Sequence, residues 1–289
     1  MDTANLAAFL AVASSGSFSR AAEEMHLTQP AVSKRIAMLE SQLDVRLFDR
    51  IGRHISLTEA GRALKPRAED ILNALTDTRR VLSNLSSRVE GQLTLATSHH
   101  IGLHRLPPVL RKYTRLYPNV ALDIRFLDSE VAHEKVLQGD VEMAVITLAP
   151  DVEPPIMAMH VWEDPLEIVV APDHPLAVGG PVSLAELAGY QAVFPGSNTF
   201  THGIVWRLFE SHGLRPMVSM STNYMETIKM MVSIGLAWSI LPRTMLDESV
   251  KVLRVFDVTL TRQLGCIWHS GRTLSNAAQA LMDLLEDDA

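Results

Sequence analysis

Polar and basic side chains recur near the N-terminus at positions that suit contact with DNA. Gln29, Ser33 and Lys34 lie at the start of a predicted helix, on or beside the face opposite its apolar stripe. A glutamine amide can pair bidentately with adenine, a lysine donates to guanine, and a serine reaches a base or a phosphate. Arg50 and Arg53 follow in a short basic segment, from which they could reach phosphates or a narrow groove. These residue types indicate a nucleic-acid interface; the alternative is that they only solvate a small helical bundle.

Three histidines and one cysteine are the other residues whose chemistry could matter. His100 and His104 have the i, i+4 spacing that places two imidazoles on one helical face, as in some metal sites, with His99 beside them. No cysteine or carboxylate nearby in the sequence completes a ligand set, so no metal or cofactor is predicted, although a distant carboxylate would leave metal sensing open. Contacts to an anion, or roles at a helix end, are simpler interpretations for protonated histidines. Cys266, the single cysteine, is expected to pack in a strand, with redox sensing as the alternative.

Composition and motifs exclude several classes of protein. The chain contains no G-x-S-x-G, no phosphate-binding G-x-x-x-x-G-K-[ST] and no H-E-x-x-H, so an enzyme is not predicted. No apolar run reaches the roughly 18 residues that a membrane helix needs, and the first residues, MDTANLAAFL, lack the basic region of a signal peptide. With 289 residues, of which 47% are hydrophobic, the chain can fill about two domains. We therefore expect a cytoplasmic globular protein with no membrane partner.

The charge is unevenly distributed along the chain. Its net value of -7 would disfavour a nucleic-acid partner if it were spread evenly. Between His26 and Arg67, however, there are eight basic and four acidic residues, whereas the chain after Glu90 has 14 basic and 22 acidic residues. This asymmetry predicts a small nucleic-acid-binding module joined to an acidic body.

Three short helices and a hairpin are predicted to position the N-terminal polar residues. The first helix ends at Ser14-Ser15-Gly16, and the second begins near Ser17. Thr28 suits the N-cap and Pro30 the first turn of the third helix, because proline has no N–H to leave unsatisfied there. The basic segment after this helix and the following Ile55-Ser56-Leu57-Thr58 predict a β-wing. This order of elements is a winged helix-turn-helix.

One long helix is predicted from Thr58 to about Val89, with a kink at Pro66. Its apolar residues alternate at steps of four and three, which is the a/d pattern of a coiled-coil seam. The seam positions are Leu64, Ala68, Ile71, Leu75, Thr78, Leu82, Leu85 and Val89. The pattern favours a dimerisation helix, while a helix docked on its own domain is the alternative.

Beyond Gly91 short strands alternate with helices, which predicts a mainly parallel sheet covered by helices on both faces. Strands are predicted at 93–96, 121–126, 143–146, 167–171, 191–194, 217–221 and 237–241, and helices at 131–137, 203–212 and 227–234. Ligands of such sheets bind outside the carboxyl ends of the strands. The body should therefore carry a ligand site at its strand ends.

The run FSRAAEEMHLTQPAVSKRIAMLESQLDVRLFDRIGRHISLTEAG resembles the winged helix-turn-helix of LysR-type transcriptional regulators. The later pattern agrees with that family, so the resemblance covers the whole chain. The family usually has glycine where this chain has Asp44, and aspartate tolerates the left-handed conformation better than most residues. The resemblance implies an N-terminal all-α winged helix-turn-helix with a long linker helix, and a C-terminal α/β domain of two lobes like a periplasmic binding protein.

The resemblance also implies a division of the chain. Residues 1–58 would form the DNA-binding domain, 59–90 the linker and dimerisation helix, and 91–289 the effector-binding domain. Its first lobe would comprise 91–160 and 266–289 and its second lobe 161–265, with crossings near 150–164 and 260–268. Such a fold places a small ligand in the cleft between the lobes.

Two sets of site residues follow. The predicted DNA contacts are Thr28, Gln29, Pro30, Ser33, Lys34, Arg35, Arg50, Arg53 and Thr58. The predicted effector contacts are Ser98, His99, His100, Asp128, Thr147, Asn198, Phe200, Thr201 and Asn223, of which Ser98, His100, Thr147 and Thr201 lie where the family commonly contacts effectors. A strand-end hydroxyl could equally cap a helix. No arginine clamp for an anion is evident in the sequence.

The expected function is promoter binding that a small, anionic metabolite in the cleft modulates. The expected assembly is a homodimer or homotetramer on double-stranded DNA, with RNA polymerase as a further candidate partner. The alternatives are a body that serves only protein interaction or assembly, without a ligand, and a metal or redox sensor.

Overall fold

The computed structural model describes residues 1–51 and 54–288. It divides into two compact units, residues 1–85 and the residues from Ser86 onward. In the described parts of the chain, no helix combines the length and the apolar character that a membrane span requires.

The first unit consists of four helices and a two-stranded hairpin. Its elements are α1 (Thr3–Ser15), α2 (Phe18–Glu24), α3 (Gln29–Leu43), β1 (Phe48–Ile51), β2 (His54–Leu57) and α4 (Glu59–Asn84). The rings of Phe9 and Phe18 lie 5.4 and 5.9 Å from the ring of Phe48, so the hairpin packs on α1 and α2. The predicted helix-turn-helix and wing are both present.

Local capping rules determine where these helices begin and end. The Thr28 hydroxyl accepts a hydrogen bond from the backbone N–H of Ala31, and the Ser17 hydroxyl accepts one from Arg20, as N-caps do. Gly16 ends α1 with a φ of 62°, and Asp44 ends α3 with a φ of 52°, both left-handed. The predicted boundaries of α2 and α3, and the left-handed Asp44, are thus confirmed.

Helix α4 differs from the prediction at its C-terminal end. It continues past Pro66 but ends at Asn84 rather than near Val89, which instead packs against the core of the second unit. Its first half packs on the core of its own unit through buried Ala68 and partly buried Leu64 and Ile71. The first half of α4 therefore follows the alternative prediction, a helix that docks on its own domain. Apolar side chains of the second half are exposed, namely Leu75, Val81, Leu82 and, just after it, Leu85.

The second unit alternates strands and helices. In order they are β3 (Gly91–Thr97), α5 (His99–His104), α6 (Leu106–Leu116), β4 (Val120–Phe126), α7 (Ser129–Gln138), β5 (Met143–Thr147), β6 (Ile156–Val170), α8 (Leu184–Ala188), β7 (Gln191–Phe194), α9 (Phe200–Ser211), β8 (Met217–Ser221), α10 (Met225–Ser233), β9 (Ser239–Pro242), β10 (Lys251–Val252), β11 (Leu260–His269) and α11 (Asn276–Glu286). Helices α6, α8 and α11 are absent from the sequence prediction, and α9 begins three residues before the predicted start.

The main sheet has seven strands in the order β10-β6-β11-β5-β3-β4, with β9 also paired to β6. Strand β3 pairs in parallel with β4 and β5, but β11 pairs antiparallel with both β5 and β6, and β6 pairs antiparallel with β9 and β10. The prediction of a mainly parallel sheet is therefore wrong. The reason is that the long β6 and β11, which cross between the lobes, join as an antiparallel pair.

Two sets of buried residues define the two lobes of this unit. The first core has α6 and α11 on one face of its strands and α7 on the other, as predicted for helices on both faces. The second core is built around Phe194, Phe209 and Trp238. Trp162 and Leu264 pack in the first core, whereas Leu166 on β6 and Leu260 on β11 pack in the second. The crossings thus lie slightly later on β6, and earlier on β11, than the predicted limits at 160 and 266.

Candidate functional site

One face of α3 presents the predicted base-reading side chains. Val32 and Ile36 are buried against the core, and this places Gln29 and Lys34 on the exposed side with Ser33 half-buried. The Gln29 side-chain amide donates a hydrogen bond of 3.0 Å to the Ser33 hydroxyl. This contact aligns the amide along the first turn of α3, where recognition helices contact base edges.

Other predicted DNA contacts have structural partners. Thr58 caps α4, because its hydroxyl accepts from the N–H of Gly61 at 3.0 Å and donates to the carbonyl of Arg46 at 2.7 Å. The Arg35 guanidinium donates to the carbonyl of Ala4 at 3.4 Å. Thr28 and Pro30 form the exposed N-terminal end of α3. Arg53 and the side chain of Arg50 lie outside the described residues.

A cavity of about 350 Å³ lies between the two lobes of the second unit. Its walls come from the strand ends and helix starts that the sequence predicted, and seven of the nine predicted effector contacts line it: Ser98, His99, His100, Asp128, Thr147, Thr201 and Asn223. Among the described residues, the predicted Asn198 and Phe200 are not part of its lining. Their neighbours at the start of α9, the N-cap Thr199 and Thr201 in the first turn, do line it.

Arg262, an arginine that the sequence analysis did not single out, lines the cavity. It lies on β11, is 4% exposed, and donates from Nη1 to the Thr201 hydroxyl at 3.0 Å. The sequence signal was alternation, because Arg262 shares a face of the crossing strand with the buried Leu260 and Leu264. A charged residue at such a position calls for a buried partner.

That partner is Asp164, which is completely buried. The Arg262 guanidinium lies 2.8 Å from its Oδ2, and the Arg105 guanidinium lies 3.3 Å from its Oδ1. Two positive groups therefore share one carboxylate. The cluster retains a net positive charge beside the cavity, in a region where burial weakens the screening by water.

Two contacts of the cavity join the lobes directly. The Asn223 amide donates to Asp128 Oδ2 at 2.6 Å, and the backbone N–H of Phe200 donates to Glu130 Oε1 at 2.6 Å. Burial raises the pKa of Glu130, and the hydrogen bond from Phe200 partly offsets this effect. The start of α9 thus already accommodates a carboxylate from the opposite lobe.

The histidines of α5 differ sharply in their surroundings. His99 lies between aromatic rings of the two lobes, 6.0 Å from Phe126 and 5.7 Å from Tyr224. His100 is 5% exposed, and neither of its ring nitrogens has a hydrogen-bond partner among the described residues. Burial, and next the charge of Arg262, lower the pKa of His100 to about 4. The His100 imidazole is therefore neutral at pH 7, not the protonated group that was expected to contact an anion.

The hydroxyl groups of the site fall into two kinds. Ser98 precedes α5, but its side chain makes no capping hydrogen bond. Helix capping therefore does not account for a serine at this position. Thr199 does cap its helix, by accepting from the N–H of His202 at 3.1 Å. Thr201 is occupied by Arg262, as described above.

Cys266 packs in the first core with no exposed surface, as the sequence predicted. Burial raises the pKa of its thiol, and the thiolate is the reactive form. Redox sensing by this thiol is therefore disfavoured.

A winged helix-turn-helix in one chain with a two-lobed α/β domain and its cavity defines a DNA-binding regulator with an effector-binding domain. Family models agree with this division. Residues 3–62 match the bacterial regulatory helix-turn-helix protein, lysR family, and residues 86–289 match the LysR substrate binding domain. The chain belongs to the LysR family of transcriptional regulators, and its relatives are regulators rather than enzymes.

Individual relatives support this assignment. The chain is 72% identical, over 108 residues that cover 37% of it and 75% of the relative, to an uncharacterized HTH-type transcriptional regulator in the ibpB-leuC intergenic region of Azotobacter vinelandii. It is 30% identical to the HTH-type transcriptional activator CmpR of Synechocystis, over 96% of this chain and 92% of CmpR.

Solved structures show the same fold. Full-length CbnR in complex with its target DNA aligns over 100% of both chains with a TM-score of 0.66 and 22% identity. The effector-binding domain of QuiR in complex with shikimate covers 68% of this chain and 96% of its own, with a TM-score of 0.63 and 19% identity.

Proposed function

We propose that this regulator binds promoter DNA through α3 and its wing, and that a small anionic metabolite in the interlobe cavity modulates the binding. The observation that carries the second part is Arg262, a buried guanidinium that lines the cavity. A cavity of about 350 Å³ suits a small metabolite.

Electrostatics and hydrogen bonding both support an anion. Arg262 and Arg105 share the single carboxylate of Asp164, which leaves a net positive charge in this cluster, although the carboxylates of Asp128 and Glu130 also line the cavity. The backbone N–H of Phe200 already binds the carboxylate of Glu130. The QuiR domain, which shares this fold, is in complex with shikimate, a hydroxylated carboxylic acid. Hydroxyl and amide donors from Ser98 and Asn223 would complete recognition of such a molecule.

Coupling to DNA requires that the effector favour one arrangement of the lobes, because equal affinity for both arrangements shifts nothing. The contacts of Asn223 with Asp128 and of Phe200 with Glu130 are the ones that an effector would replace or reinforce. The cavity therefore lies where a ligand can change the interlobe geometry.

The proposed assembly is a homodimer, and further a homotetramer, that acts on double-stranded DNA in the cytoplasm with RNA polymerase as a candidate partner. In this proposal residues 1–58 bind DNA, 59–90 join subunits, and 91–289 bind the effector. The exposed Leu75, Leu82 and Leu85 support the subunit contact. The remaining predicted DNA contacts, including Arg50 and Arg53, keep their proposed roles.

Small carboxylates should raise the melting temperature of the full chain, whereas their neutral amides should not. The test is a thermal-shift screen of hydroxylated and aromatic acids beside the matched amides, followed by calorimetry of each acid that gives a shift. Ser98→Ala should weaken binding by about tenfold, since it removes one hydrogen bond to a charged group. Ser211→Ala, an exposed serine on α9, is the matched control.

Two results would overturn the effector proposal. Tight binding of neutral compounds alone would contradict the anionic assignment. Failure of every acid and amide to shift the melting temperature would favour the alternative of an interaction or assembly module without a ligand.

Gln29→Ala should weaken binding to a DNA site selected from a random library by about 1–3 kcal/mol, with little change on unselected DNA. The reason is that a glutamine at the start of α3 reads a base, whereas the phosphate contacts are independent of sequence. Gln42→Ala, an exposed glutamine at the other end of α3, is the control. Gel retardation measures both. Equal losses on selected and unselected DNA would contradict base reading by Gln29.

A further inference from the structure

We propose that His100, His104 and Glu226 hold one divalent transition-metal ion of the zinc type between α5 and α10. The fold brings together what the sequence leaves apart, because Glu226 follows His104 by 122 positions. The candidate ligand atoms of the three residues all lie within 4.8 Å of one another. Two imidazoles and one carboxylate form a common ligand set for zinc, with the fourth position left to water.

The distances between the candidate ligand atoms are close to those around a tetrahedral zinc ion. His104 Nε2 lies 3.3 Å from Glu226 Oε1. Two ligands at about 2.0–2.1 Å from one tetrahedral zinc ion lie about 3.3 Å from each other. The rings of His100 and His104 have centroids 4.9 Å apart, so a small rotation of these side chains on adjacent turns brings the third ligand into range.

The second, independent observation is the condition of His100. It is 5% exposed, and both of its ring nitrogens lack a hydrogen-bond partner among the described residues. A buried polar group without a partner is costly. A metal ion would satisfy one nitrogen of this imidazole.

The charges around the three residues partly oppose a cation and partly favour it. Lys229 lines the same surface as Glu226, but its ammonium lies 2.6 Å from Asp247 and is engaged there. The buried Asp164, whose Oδ2 lies 4.0 Å from His100 Nε2, is shared by Arg262 and Arg105, so the carboxylate of Glu226 supplies the negative charge for the ion. A second cavity of about 450 Å³, lined by His104 and Glu226, would admit the ion and its water.

The position of the site gives it a regulatory consequence. Helix α5 belongs to the first lobe and α10 to the second, so an ion bound to both would favour the arrangement in which the lobes are close. Of the three ligands, His100 also lines the effector cavity, whereas His104 and Glu226 do not. The metal would therefore be a second signal beside the anionic effector, with His100 common to both sites.

The test is zinc binding by the full-length chain without an affinity tag. The chain competes with a chromogenic chelator for zinc supplied as zinc chloride. Cobalt chloride, added in place of zinc, gives the visible absorption typical of tetrahedral coordination. The wild type should bind one ion per chain at this site. His104→Gln and Glu226→Gln should each weaken binding by at least about tenfold and remove the cobalt absorption. His160→Gln, which removes an exposed histidine on β6, should change neither.

Two results would overturn the proposal: affinities equal in the wild type and both ligand variants, or losses equal in His160→Gln and the ligand variants. Circular dichroism and the melting temperature of the metal-free variants show whether they remain folded, and Glu226→Gln keeps the size of the side chain for this purpose. Binding of carboxylates is measured separately on the metal-free chain. The effector proposal and the metal proposal can therefore fail independently.

Discussion

Replacing Arg262 by methionine is expected to lower the free energy of unfolding of the α/β unit by about 3 kcal/mol, because removing one partner of a buried ion pair leaves a buried charge behind. Asp164 has no exposed surface and, among the described residues, would keep Arg105, at 3.3 Å, as its cationic partner. The remaining guanidinium places the loss at the lower end of the range for broken buried pairs. Thr201 would also lose its hydrogen bond from Arg262.

Urea unfolding followed by tryptophan fluorescence measures this loss in the second unit alone, because Trp162, Trp206, Trp238 and Trp268 all lie there. Arg243→Met is the matched control. Its guanidinium contacts Glu167 at 2.6 Å, but the side chain is 66% exposed, so the expected loss is about 1 kcal/mol or less. A loss for Arg262→Met as small as that of the control would show that the cluster does not stabilise the unit. Adding Asp164→Asn to Arg262→Met should recover part of the loss.

Elements governed by local rules could be predicted from the sequence. Thr28, Pro30 and Asp44 delimit α3 through capping, proline geometry and a left-handed residue, all of which act within one turn. The same reasoning placed Ser98, Thr147 and Asn223 at strand ends, and parallel strands bring such ends to one edge. Seven of the predicted cavity residues therefore line the cavity.

Features that depend on distant pairing could not be predicted in this way. The antiparallel pairing of β6 and β11 depends on how the lobes are connected. The periodicity of side chains within each strand does not show in which direction the strand runs relative to its neighbour. Arg262 and Asp164 are 98 positions apart, and neither has a neighbour in sequence that reveals the pair. The partner of His104 is likewise on the opposite lobe. Pairs of this kind can be identified only from the three-dimensional structure, because the crossing strands bring distant parts of the chain together.

The second half of α4 carries the other large expected effect. Leu75 and Leu82 are one heptad apart and 38% and 62% exposed, and together with the exposed Leu85 they give this half an apolar surface of the kind that marks a protein contact. The first half of α4 buries its apolar face against its own unit, so an intramolecular partner accounts for that half only. The proposed partner of the second half is the same helix of a second subunit.

The double variant Leu75→Glu and Leu82→Glu should therefore be monomeric, because a carboxylate in an apolar seam loses its hydration without a partner. Binding to a two-half-site DNA should weaken by about 100-fold or more, since each half-site must then be bound without the gain in effective concentration. Sedimentation equilibrium and gel retardation measure the two effects.

The control adds the same charge to a different face of the same helix. Thr76→Glu and Ser83→Glu lie one position after each leucine, are exposed, and should leave the dimer intact. A dimeric Leu75→Glu and Leu82→Glu variant would place subunit contact elsewhere in the chain. Equal dissociation of both double variants would mean that repulsion between acidic helices, and not loss of an apolar seam, separates the subunits. Monomers that keep the affinity of the wild type for two half-sites would contradict the proposal that α4 couples two recognition helices on DNA.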